Sequence, residues 1–404
     1  MSASAEAARG TQPWIIWGSE LSPFALKVAL SFRHAGLPHR FLPAQGDWAQ
    51  NWRVLLRLQA LKRGWLPLTW PQVTEDDELP LVPFVFGPRG ENLYDSSAIA
   101  EWLDRGLPES QRLIPEPPLA AFVAHLIDDY ADEFGLYLVH HQRWKVSARD
   151  NDAGPRVARE FRFLAGPLQG LMAKGFAARQ TRRLPYLFSV APAGFSIPGL
   201  PPVRQPPTRA GFPPTHALLE AAHQRLCAAL DTLLQERPYV LGTRFTLADA
   251  ALYGQLAMNL SDPSTNQAMQ QHWPTLHRWL LALHDTAPAG SEAAGPLPVD
   301  AALQPLLQEI ARIHLPLMRQ NAAAHQRHRM AGQRRLNEAA FNAGAALYDG
   351  ELDGHPYRSV AKSFQAKTWR ECLARWSRLP VDSQAQLIAL VPEFESLGSD
   401  SPPG

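Results

Sequence analysis

Apolar and polar positions follow two rhythms along this chain. Over the first hundred residues, short apolar runs alternate with helically spaced ones. WIIW at 14 to 17 reads as a strand, and Phe24, Val28 and Phe32 recur at the spacing of a helix that Pro23 opens and Gly36 closes; HRFLPA then returns to strand. This is a β-α-β opening. Residues 44 to 78 are predicted to hold one helix, about 49 to 62, and a loop, with Trp48, Trp52, Trp65 and Trp70 expected to pack. LPLVPFVF reads as a strand interrupted by Pro83, ENLYD as a strand after the turn Pro88-Arg89-Gly90, and SSAIAEWLDRG as a capped helix ended by Gly106. Proline inside a strand pattern marks an edge or a special turn.

From 116 the rhythm becomes helical throughout. The spacing predicts helices over about 117 to 149, 154 to 180, 215 to 236, 246 to 260 and 274 to 285. Between the second and third, the proline and glycine density of residues 185 to 214 forbids regular helix and predicts an ordered lid or a surface loop. DTAPAGSEAAGPLPVD reads as a linker. Beyond it the pattern predicts a long helix over about 300 to 325, a hairpin turning near Asp353-Gly354, and helices over about 363 to 377 and 382 to 391. There is no internal repeat.

Composition narrows the partners. The 404 residues suit two or three domains, and 39 basic against 38 acidic residues leave a formal charge of +1, which supplies no global field for nucleic acid or an anionic membrane. Six lysines among the 39 cations, with 37 prolines, read as the codon bias of a GC-rich genome. Cys227 and Cys372 have neither disulfide nor metal spacing and read as buried small apolar residues. Residues 1 to 12 lack a secretory pattern and no apolar run reaches membrane-spanning length, so the expected location is cytoplasmic. QRHRMAGQRR at 326 to 335 is short and lacks interleaved aromatics, as a solvated helix face does.

The chemistry is concentrated at helix starts. Ser22 stands before Pro23, where a serine can cap the helix and proline at the first turn forfeits no bond. A hydroxyl there also sits at the positive end of the helix dipole, placed to hold an anion such as a thiolate. Asp95-Ser96 opens a second helix, and Thr246 with Asp249 forms a capping-box pattern at a third, which is structural. Tyr137, His141 and Trp144 share one helix face. No metal site is expected, since adjacent His140 and His141 point to different faces and no HExxH is present.

Ser22-Pro23-Phe24, LPLVPFV, Asp95-Ser96 followed by AIAEWL, and GTRFTLADAALYG, in that order, resemble the cytosolic glutathione transferase superfamily. The resemblance implies an α/β plus all-α protein: a thioredoxin-like glutathione-binding domain over 13 to 106 and an all-helical substrate domain over 115 to 286 carrying the proline-rich insertion 185 to 214. A mostly helical C-terminal extension over 299 to 392 and a tail over 393 to 404 lie outside it, as does a disordered N-terminus over 1 to 12. It implies a cis Val82-Pro83 bond that turns the Val82 backbone toward the cysteinyl part of glutathione, and Asp95 and Ser96 holding the γ-glutamyl end. Ser22 then takes the first position of a Cys-x-x-Cys site and Ala25 the last. Disulfide exchange is therefore excluded, because it needs two thiols. The resemblance implies Ser22 as the donor that stabilises the glutathione thiolate, and with no tyrosine in WIIW a member of the tyrosine type is not expected. Phe24, Tyr137, His141 and Trp144 are implied to line a pocket for a small hydrophobic electrophile, in a homodimer that uses glutathione as co-substrate. A non-catalytic binding or scaffold protein of the same fold, using the extension for partners, is the alternative.

Overall fold

Ser19 turns the chain out of β1 (Trp14–Trp17) and into α1 (Pro23–His34): its carbonyl accepts Ser22 N–H at 2.9 Å and its hydroxyl accepts Leu21 N–H at 3.1 Å. The computed structural model describes residues 12–72, 83–288 and 295–400. After α1 come β2 (His39–Leu42) and α2 (Trp48–Lys62), opened by a capping box between Asp47 and Gln50; β3 (Phe84–Phe86), β4 (Asn92–Tyr94) and α3 (Ser96–Asp104) follow. The sheet order is β2-β1-β3-β4, with β2 parallel to β1 and β3 antiparallel to both β1 and β4. The period of two along β1 divides its side chains between the two faces. Trp14 and Ile16 pack with Val28, Phe32, Ile99 and Leu103 of α1 and α3, whereas Trp17 packs with Leu42, Val54 and Leu58 on the α2 side.

The helical part begins with α4 (Pro118–Tyr130), which runs through a π-helical turn (Ala131–Gly135) into α5 (Leu136–His141) and a second π turn (Gln142–Val146). Next are α6 (Ala153–Glu160), α7 (Arg162–Ala165) and α8 (Gln169–Arg183), then α9 (His216–Glu236), α10 (Leu247–Ala257), α11 (Pro263–His272) and α12 (Pro274–Asp285). The helix expected over 154 to 180 is thus broken: Gly166 adopts φ 48° and Pro167 lacks the N–H an unbroken helix needs. Helix α11 had no apolar signal to announce it, since only Thr265 and Met269 of its ten residues are buried. Gly254 sets the distance between the two parts. A Cβ there would lie 2.7 Å from both Lys27 Cβ and the Pro23 carbonyl oxygen, so α10 approaches α1 closely only because residue 254 has no side chain.

The extension comprises α13 (Gln304–Glu309), a π turn (Ile310–His314), α14 (Leu315–Met330), α15 (Glu338–Asn342), the hairpin β5 (Leu347–Leu352) and β6 (His355–Val360), then α16 (Ser363–Ser377), α17 (Val381–Leu390) and α18 (Ser396–Asp400). Asp353 and Gly354 both take positive φ, 50° and 73°, as a two-residue hairpin turn requires. The extension shares the main core; Trp376, for example, packs on Phe122 of α4 at 5.5 Å. Two expectations are corrected. The tail does not begin at 393, because Phe394 and Leu397 are fully buried and carry the fold to residue 400. Nor do all four early tryptophans pack: Trp48, the first residue of α2, and Trp65, just after its end, are 67% and 70% exposed. Trp52 does meet Phe163, and Trp70 lies under the Arg105 guanidinium at 3.8 Å.

Candidate functional site

The register of the sheet builds the site. Trp17, Phe84 and Tyr94 form one row across β1, β3 and β4. Since β1 and β4 both run opposite to β3, they end at the same edge, and β3 begins there. The next positions outward are Gly18, buried Pro83 and Asp95. Helices α1 and α3 therefore both present their N-termini at that edge, with Ser22 capping one and Asp95 the other. Val82 and its bond to Pro83 lie outside the described residues.

The two caps differ. Ser22, half-buried, accepts Ala25 N–H at 3.5 Å, long for such a bond, and its hydroxyl donates to no acceptor among the described residues. Asp95 takes an unusual backbone conformation, φ 68°, and its Oδ1 accepts two bonds, from Ser97 N–H at 3.0 Å and Ala98 N–H at 3.1 Å. Oδ2 accepts none among the described residues. Burial pushes the Asp95 carboxyl above its ordinary value, opposed by the Ala98 N–H and the charge of Lys27.

Behind α3 lies a polar network the sequence reading missed. Lys27, one turn into α1 and 1% exposed, donates to Asp132 Oδ2 at 2.7 Å and Ser97 Oγ at 2.9 Å, and pairs with Asp128. Ser97 Oγ donates to Asp128 Oδ2 at 2.6 Å, Ser96 Oγ to Asp132 Oδ2 at 3.4 Å, and Gln255 Nε2 to Asp132 Oδ1 at 3.3 Å. Burial alone would lower the Lys27 ammonium; the charges of Asp128 and Asp132 outweigh it and hold the group above its ordinary value. Burial raises Asp132 to about 6 against the pull of Lys27, and raises neighbouring Glu133 to about 8 with help from the Asp132 charge. A lysine in the apolar run FALKVALSF, with acids spaced i, i+4 on an apolar helix, was the available signal.

Of the residues expected around an electrophile, Phe24 alone is half-buried; Tyr137, His141 and Trp144 are buried. Tyr137 stacks on Phe188 of the proline-rich segment at 5.4 Å, and its hydroxyl meets Gln365 Nε2 at 3.0 Å and the Lys362 ammonium, both from the extension. His141 Nδ1 lies 2.8 Å from Ser189 Oγ, with its ring against His216. Trp144 packs on Phe176 and, with Leu21, joins the small core formed by α6 and α8. At the third helix start, the Asp249 carboxylate accepts Thr246 N–H, Thr246 Oγ1 and Val240 N–H, an arrangement internal to the fold. Both cysteines are buried. Among the described residues, no helix is long and apolar enough to cross a membrane, and no three His, Cys, Asp or Glu side chains are placed to hold a metal ion.

The glutathione S-transferase N-terminal domain family matches residues 21–105, and the glutathione S-transferase C-terminal domain family matches residues 213–284. No curated protein matches the chain. Among solved structures, a glutathione S-transferase of Methylobacillus flagellatus with GSH bound is 19% identical, the alignment covering 68% of this chain and 100% of the other with a TM-score of 0.36. One of Ceriporiopsis subvermispora in complex with glutathione is 14% identical, with 70% and 100% covered and a TM-score of 0.42; one of Phanerochaete chrysosporium is 15% identical, with 68% and 97% covered and a TM-score of 0.41.

Proposed function

The chain belongs to the glutathione transferase superfamily, and from that premise we propose that it binds glutathione across the edge where α1 and α3 begin and activates its thiol with Ser22. The convergence of two helix N-termini on one sheet edge carries this reading, because free N–H groups and dipoles of both helices favour negative charge there. Asp95 Oδ2 takes the ammonium of the γ-glutamyl end, and the α3 N-terminus with Ser96 takes its carboxylate. The Val82 backbone holds the cysteinyl part, which leaves the sulfur at Ser22. The hydroxyl donates to the sulfur, stabilising the thiolate over the thiol. The thiolate attacks an electrophilic carbon beside Phe24, a carbon–sulfur bond forms, and the leaving group departs with its electron pair.

Calorimetric titration with glutathione tests the binding step, with Asp95→Ala expected to bind about ten- to a hundredfold more weakly through loss of a charge-assisted contact. No heat with wild-type protein would overturn the reading. The burial of Tyr137 and His141 beneath the proline-rich segment and the extension favours a second reading, a glutathione-binding protein that does not turn over. Binding without conjugation of any of a panel of small electrophiles would select it.

A further inference from the structure

A cleft on the α2 face of the sheet, toward the start of β1 and away from Ser22, has a volume of about 370 Å³. Its floor is Ile15, Leu42 and Val54, and its rim carries Arg40, Arg53 and Arg57. The rim follows from two local patterns. Gln50, Arg53, Val54 and Arg57 fall at i, i+3, i+4 and i+7 on α2, hence on one face, and Arg40 stands on β2 directly opposite Ile15 of β1. Among the described residues, no carboxylate lines the cleft.

The three guanidiniums are not equally committed. Arg57 is fixed: Nε donates to Asn92 Oδ1 at 2.8 Å, Nη2 to the carbonyls of Gly90 and Glu91 at 2.6 and 3.1 Å, and the group lies over the Phe86 ring at 4.8 Å. The Glu91 carboxylate, whose charge Arg57 also feels, is turned to Arg89. Arg40 reaches the Gln45 carbonyl. Arg53 is exposed and has no acceptor among the described residues. One guanidinium fixed, a second held by a backbone carbonyl and a third with no acceptor among the described residues, above an apolar floor, suit a ligand with two or more negative oxygens on an apolar body. Arginine forks match phosphate oxygens in pairs, and a cleft of this size suits a small organic molecule.

We propose that this cleft binds a phosphate monoester whose apolar group rests on Ile15, Leu42 and Val54. The site is separate from the proposed glutathione site and does not depend on it. The test is calorimetry on the full chain with adenosine monophosphate, inorganic phosphate and adenosine as probes. Adenosine monophosphate is expected to bind at least tenfold more tightly than either of the others, because only it engages both the rim and the floor. Arg53→Glu, which alters an exposed side chain with no partner to lose among the described residues, should weaken that binding at least tenfold. Glutathione affinity should not change in that variant, and saturating glutathione should not displace the nucleotide. Binding of adenosine as tight as that of the monophosphate, an unaltered constant in Arg53→Glu, or competition by glutathione would each overturn the proposal.

Discussion

Two helices start at the same sheet edge and are capped in opposite ways. At α3, Asp95 holds two backbone N–H groups at 3.0 and 3.1 Å and is backed by the Lys27, Asp128 and Asp132 network. At α1, Ser22 holds one at 3.5 Å, with its hydroxyl proton unclaimed among the described residues. A tight cap gives its oxygen to the fold. A loose one leaves its hydroxyl open to a further partner. On the proposed reading, α3 fixes the bound peptide and α1 acts on its sulfur, so that one edge separates binding from chemistry.

The largest test of that contrast is Lys27→Met. It leaves Asp128 and Asp132 without their buried cation, and removing one partner of such a set costs about 3–5 kcal/mol. The expected result is a sharply lower melting temperature; a drop of only a degree or two would mean that Lys27 does not tie α1 to α4. Next is Asp95→Ala, which loses the cap and places alanine at positive φ, for about 1–3 kcal/mol. Asp95→Gly should recover part of this, since glycine accepts that conformation; if the two are equally unstable by chemical denaturation, backbone strain contributes nothing.

A smaller effect concerns Glu133, beside this network. Its carboxyl is raised to about 8 by burial and the Asp132 charge, so between its ordinary value of 4.5 and 8 the folded chain holds a proton the unfolded chain has released. Stability therefore falls as pH rises through that window. Glu133→Gln, neutral throughout, should match wild type in melting temperature near pH 4 and exceed it above about pH 8. Parallel melting curves across that range would show that Glu133 does not titrate in it. The smallest stability effect is expected at the loose cap: Ser22→Ala should cost about 0.5 kcal/mol, the low end for a cap, measured by the same denaturation.

How much of this was legible in the sequence depends on how far apart the partners lie. The helix mouths could be read because Ser22-Pro23 and Asp95-Ser96 carry their own capping chemistry, and Asp353-Gly354 announced its hairpin for the same local reason. The role of Lys27 was not legible, because its acceptor Asp132 is 105 positions away. The sealing of Tyr137 depends on Lys362, 225 positions distant, and no periodicity encodes such a contact. The exposure of Trp48 and Trp65 was likewise not readable from residue type.

The central claim is that Ser22 is a thiolate donor first and a cap second. Titrating the thiol of bound glutathione by its ultraviolet thiolate absorbance, in wild type and Ser22→Ala, tests it directly. A hydrogen bond to a charged sulfur is worth about 1.5–3 kcal/mol. The alanine variant should therefore titrate about one to two pH units higher, with glutathione affinity within a few fold and the fold intact. Superimposable titration curves for the two proteins would contradict the account and leave Ser22 as nothing more than the start of a helix.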